Sequence, residues 1–95
     1  MKIFIGKDKN IIDLMRKAGY RPLGQMGDEL SFVREINTFK YPRFHVYIKE
    51  RKDGFGISIH LDQKKPVYQR AHNAEYRGEL VEKELMRLKT FYENH

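Results

Sequence analysis

A chain of 95 residues with net charge +6 and no cysteine excludes disulfides, cysteine-ligated zinc and thiol catalysis at the outset. Hydrophobic residues at 40% and aromatics at 13% exclude a disordered tail, and the length is that of one domain spanning 1–95. The apolar runs reach about four residues, against the roughly 20 that a membrane helix needs.

Lys2 to Ile5 reads as a short strand, too short for the apolar core of a signal peptide. Together with the missing cysteines this leads to the expectation of a cytoplasmic protein without a membrane partner. Asn10 is placed to cap a helix, with Asp13 in its first turn. Ile11, Leu14, Met15 and Ala18 then fall on one helical face. Gly19 suits a left-handed stop, and Pro22 forbids resumption of the helix. Gly24 to Asp28 reads as a turn region. Residues 30–36 read as a strand with Leu30, Phe32 and Ile36 on one face, where Arg34 is the exception.

The clearest pattern follows. Arg43 to Glu50 alternates strictly, with Phe44, Val46 and Ile48 on one side. Phe55 to Leu61 alternates likewise, with Ile57, Ile59 and Leu61 on one side. Between them Asp53-Gly54 signals a two-residue type I′ turn, which requires positive φ at Gly54. That turn sets Ile48 opposite Ile59 and Val46 opposite Leu61. It also pairs His45 with Asp62, Tyr47 with His60 and Lys49 with Ser58 on the polar side. Residues 62–78 show no clear period, with a helical turn expected at most over Asn73 to Tyr76. A last helix is expected from about Glu79 to Tyr92, with Val81, Leu85 and Leu88 as its core stripe. The fold class is therefore α+β: a β-α-β-β-β-α two-layer sandwich, with an antiparallel sheet, two helices packed on one face and the other face open.

Two chemistries compete for the open face. His45, His60 and Asp62 converge there, and His72 in the aperiodic segment could fold back over them. Such a set suits a divalent metal, zinc or manganese, or acid–base hydrolysis with His45 held by Asp62. An ordinary solvated sheet face with one charge-assisted pair accounts for the same residues, and no cofactor is required.

The second chemistry starts from charge. Residues 1–42 carry +3, residues 43–72 carry +4 and residues 73–95 carry −1. A basic middle favours an anionic partner, RNA or DNA. Arg43, Lys49, Arg51 and Lys52 flank the hairpin, and Lys64, Lys65 and Arg70 follow it with Tyr68 interleaved. Basic groups track phosphates, and rings stack on unpaired bases. A small basic nucleic-acid-associated binding module is thus the leading reading, ahead of a small hydrolase. A protein-interaction domain, including self-association as a homo-oligomer, is the third.

Three resemblances accompany these readings. Ile3-Phe4-Ile5-Gly6 and Gly54-Phe55-Gly56-Ile57 look like fragments of the two RNA-recognition-motif signatures. Phe55, however, shares parity with Ile57 and so points to the core. The order of elements over residues 10–92 is similar to the double-stranded-RNA-binding-domain topology, shared by HicA-type RNA-cleaving toxins. The likeness implies an RNA partner. Two departures weigh against it: Glu79, Glu82 and Glu84 stand where those domains carry lysines, and Ile57-Ser58-Ile59-His60 is the nearest match to the toxins' Gly-Ser-His strand motif. Finally, the run from His60 to Tyr68 and the run Gly78-Glu79-Leu80-Val81-Glu82 resemble a set of short uncharacterised prokaryotic proteins, a likeness that brings no activity with it.

Overall fold

The computed structural model describes residues 2–38, 40–63 and 71–94, with backbone alone for 71–77. Strand β1 (Lys2–Gly6) leads into helix α1 (Ile11–Lys17). Four strands follow, β2 (Arg21–Met26), β3 (Glu29–Glu35), β4 (Arg43–Arg51) and β5 (Gly54–Asp62), and then helix α2 (Ala71–Asn94). The sheet is antiparallel throughout, in the order β1-β5-β4-β3-β2. The α+β architecture, with a strand, a helix, consecutive strands and a helix, is the expected one. The run between the helices holds one strand more, β2. Because β1 and β2 lie at opposite edges, α1 carries the chain from one edge to the other.

Helix α1 is bounded as its sequence requires. The Asn10 side chain accepts from Asp13 N–H at 3.1 Å. At the other end Gly19 takes φ +95° and Tyr20 N–H reaches back to Met15 O at 2.9 Å, so the left-handed residue satisfies carbonyls the helix leaves open. Ile11, Leu14 and Met15 are buried. They meet Ile5, Phe32, Phe44, Val46, Ile48, Ile57, Ile59, Val81, Leu85 and Leu88 in a single cluster. Val81, Leu85 and Leu88 form the expected stripe of α2, and that helix lies over β1 and β5.

Arg34, the charged residue on the core side of β3, is met by α2. Glu84 lies 3.5 Å from its guanidinium and also accepts from Arg87 and from the Tyr20 hydroxyl, the latter at 2.6 Å. Arg87 in turn donates to Ala18 O at 2.5 Å. Burial first, and the Glu84 hydrogen bond second, hold the Tyr20 phenol well above its ordinary value, so it stays a donor. Glu84 is only 4% exposed. It is an internal anchor rather than part of an acidic surface at the start of the helix.

Three expectations are corrected. Residues 21–26 are a strand despite Pro22 and Gly24. The strand is an edge with a bulge between those two residues, and all six are exposed, so a missing N–H is tolerated there. Of the stretch 62–78 read as aperiodic, Asp62 closes β5 and residues 71–78 belong to α2, whereas 64–70 lie outside the described residues. Gly78 obscured the start of that helix: inside a helix it costs roughly 1 kcal/mol relative to alanine. A Cβ at Gly78 would meet nothing within 4 Å. Gly78→Ala is therefore expected to stabilise the fold by about 0.5–1 kcal/mol, read as a higher denaturant midpoint at unchanged slope.

The third correction concerns the hairpin. Arg51 pairs with Gly54, so the turn residues are Lys52 and Asp53. Ile48 faces Ile57, Val46 faces Ile59 and Phe44 faces Leu61. The register differs by two residues from the type I′ expectation, and an even shift leaves every side chain on its expected face. Neither Lys52 nor Asp53 has positive φ, nor does Gly54. The glycine serves a different purpose. It pairs with Gly6 of β1, and an added Cβ would lie 2.1 Å from the Ile5 carbonyl oxygen.

Candidate functional site: the sheet face away from the helices

Strand alternation sends Lys2, Phe4, Ser31, Val33, Arg43, His45, Tyr47, Lys49, Ser58, His60 and Asp62 to the face opposite the helices. This face is not uniformly open. Val33, Arg43 and His45 are 0%, 8% and 9% exposed. The face divides into a buried polar knot over β3–β5 and an exposed basic region towards β1.

The knot centres on His45. Its cross-strand partner is His60, not Asp62, which instead lies opposite Arg43. The expected pair forms nonetheless, along the diagonal: His45 Nδ1–H donates to Asp62 Oδ2 at 2.9 Å. Diagonal neighbours two residues apart remain within reach of long side chains. With Nδ1 committed to the carboxylate, the neutral ring offers Nε2 as acceptor to the Ser31 hydroxyl, 2.5 Å away. The Tyr47 ring stacks on the imidazole, with centroids 4.2 Å apart and planes at 21°, and its far side meets His60 edge-on at 5.5 Å. Burial, with the Asp62 charge second, raises the Tyr47 phenol above its ordinary value. Arg43 Nε donates to Asp62 at 3.5 Å, and its guanidinium lies over the Tyr41 ring at 4.7 Å. Among the described residues no buried side-chain nitrogen or oxygen lacks a partner.

Of the residues proposed for a metal, His45 and Asp62 meet directly. His60 is exposed; it stands opposite His45 across the ladder and meets the Tyr47 ring edge-on. The His72 side chain lies outside the described residues. Among the described residues no three His, Asp or Glu groups are arranged to hold a metal ion. Of the residues proposed for nucleic acid, Lys49, Arg51 and Lys52 are exposed, whereas Arg43 is buried in the knot. Lys64, Lys65, Tyr68 and Arg70 lie outside the described residues.

Two contributors were missed. Ser31 alternates with Leu30 and Phe32, so its place on the polar face was legible. Its approach to His45 depended on how β3 registers with β4. Phe4 alternates with Ile3 and Ile5 and emerges on the polar face, 57% exposed. There it borders a shallow groove of about 260 Å³, with Lys2, Lys49, Arg51, Gly56 and Ser58 along its walls. Glu29, opposite Lys49, is the acidic residue at its margin. Gly56 opens the groove because it faces Phe4 across the β1–β5 pair without a side chain.

No helix among the described residues is long and apolar enough to cross a membrane. Comparison with family models, curated proteins and solved structures returns no match.

Proposed function

We propose that the chain binds single-stranded nucleic acid on this sheet face, with β1 at the centre of the contact. The observation that carries the reading is Phe4: a phenylalanine more than half exposed on a regular strand, ringed by Lys2, Lys49 and Arg51. A buried ring would have served the core; this one faces solvent among cations. A base stacks on such a ring while its flanking phosphates meet the ammonium and guanidinium groups. Tyr47 and His60 continue the row of rings along the same face. The face suits an unpaired strand better than a duplex, since stacking requires a free base plane. Its breadth, several strands with only a shallow groove among the described residues, favours a polymer over a small substrate.

Fluorescence anisotropy with a labelled single-stranded RNA or DNA 12-mer provides the test. Affinity should fall steeply with salt, as phosphate contacts release counterions. Phe4→Ala should weaken binding by roughly 1–3 kcal/mol, about 5- to 150-fold, while leaving the salt slope unchanged. Lys49→Ala should instead lower the slope by about one unit. Salt-independent binding, or an affinity indifferent to both changes, would refute the reading.

A further inference from the structure

The polar knot contains a group that the nucleic-acid reading does not use. Ser31 Oγ, His45 and Asp62 form a linear chain of hydrogen bonds, hydroxyl to Nε2 at 2.5 Å and Nδ1–H to carboxylate at 2.9 Å. Each member comes from a different strand, β3, β4 and β5, so the sheet itself sets their spacing. His45 is packed under the Tyr47 ring and held at both nitrogens, which leaves it one orientation. Asp62 selects the tautomer in which Nε2 is unprotonated and faces the hydroxyl. Those are the roles a general base and its orienting carboxylate must fill to activate a serine.

The residue opposite Ser31 on β2 is Gly24, and a Cβ built there would meet nothing within 4 Å. Ser31 is half-buried and sits beside this gap. The space beside Gly24 is the side from which an electrophile would approach the hydroxyl.

The geometry points to Ser31 as an activated nucleophile towards short-chain carboxylic esters. Oγ adds to the acyl carbon while its proton passes to His45 Nε2. The ester C–O bond then breaks, and the leaving alkoxide takes that proton from Nε2. Water, deprotonated by the same nitrogen, releases the carboxylic acid and restores Ser31. His45 is the catalytic base; Asp62 is a positioning residue.

A phosphonofluoridate probe tests this independently of any nucleic acid. Oγ forms a P–O bond, fluoride leaves and the proton goes to His45, giving a stable adduct that peptide mass mapping locates. Ser58, the chain's other serine and on the same face, is the internal reference. Labelling of Ser31 should exceed that of Ser58 by on the order of 100-fold, the usual gain from a positioned base. His45→Gln should abolish that excess. Asp62→Asn should lower the maximal labelling rate about tenfold or more without moving the half-saturating probe concentration. Circular dichroism identifies any variant that fails to fold, and the wild-type ratio of Ser31 to Ser58 stands without variants. Equal labelling of the two serines, or an excess that survives in folded His45→Gln, would overturn the proposal.

Discussion

Glu84→Ala is expected to destabilise the protein by about 3–5 kcal/mol, the range for removing one partner of a buried ion pair. The carboxylate is 4% exposed and receives the Tyr20 hydroxyl and the guanidinium groups of Arg34 and Arg87. Without it, Arg34 remains on the core face of β3 with no counter-charge from α2, and Tyr20 keeps a buried donor with no acceptor. Tyr20 follows α1, Arg34 belongs to β3 and Arg87 to α2, so one side chain ties both helices to the sheet. Glu84→Gln keeps an acceptor for Tyr20 and should cost less than the alanine change. Urea unfolding measures both. A loss below about 1 kcal/mol for Glu84→Ala, the scale of a surface ion pair, would show that the network adds little to the fold.

Gly54→Val is expected to cost about 3–5 kcal/mol, at or above the upper end of ordinary overpacking. The cause is the approach of β1. An ideal Cβ at Gly54 lies 2.1 Å from the Ile5 carbonyl oxygen and 3.0 Å from the Phe4 ring. The clash is with backbone, so a rotamer change cannot relieve it, and β1 must move away from β5. The consequence reaches the proposed binding surface, because Phe4 travels with β1. Gly54→Val should therefore lower both the urea midpoint and the affinity for a single-stranded oligonucleotide. Gly27→Asn makes the contrast: φ is +61° there, a conformation asparagine tolerates, and the space around it is empty. That variant should change stability by a few tenths of a kcal/mol at most. If Gly54→Val proved as mild as Gly27→Asn, the close approach of β1 would be refuted.

The two glycine positions show why turn chemistry read alone misassigned the hairpin. Asp53-Gly54 carries a strong local signal for a type I′ turn, and local signals assume that a glycine is present for its φ. Here the demand comes from a strand 48 residues earlier in the chain, Gly6 pairing with Gly54. No local window contains that contact. The faces of β4 and β5 nevertheless came out as expected, since alternation with period two is insensitive to an even shift in register.

Composition and periodicity by themselves determined the α+β class, the two helical core stripes, the cap at Asn10, the stop at Gly19 and the face on which His45, Tyr47, His60 and Asp62 lie. These depend on the spacing of apolar residues and on φ preferences, both of which act within a few residues. The tertiary structure decided what depends on contacts between distant segments. An edge position is what admits Pro22 to a strand. Helix α2 supplies the counter-charge that lets Arg34 sit on the core face of β3. The register of β3 against β4 brings Ser31 to the imidazole that Asp62 already holds. Arg43, a surface phosphate contact on charge alone, is withdrawn under Tyr41 and onto Asp62 because its strand runs through the buried part of the sheet. In each case the side chain's identity was plain in the sequence. Its partner was set by which strands adjoin, and that follows from burying both helices on one face of a single five-stranded sheet.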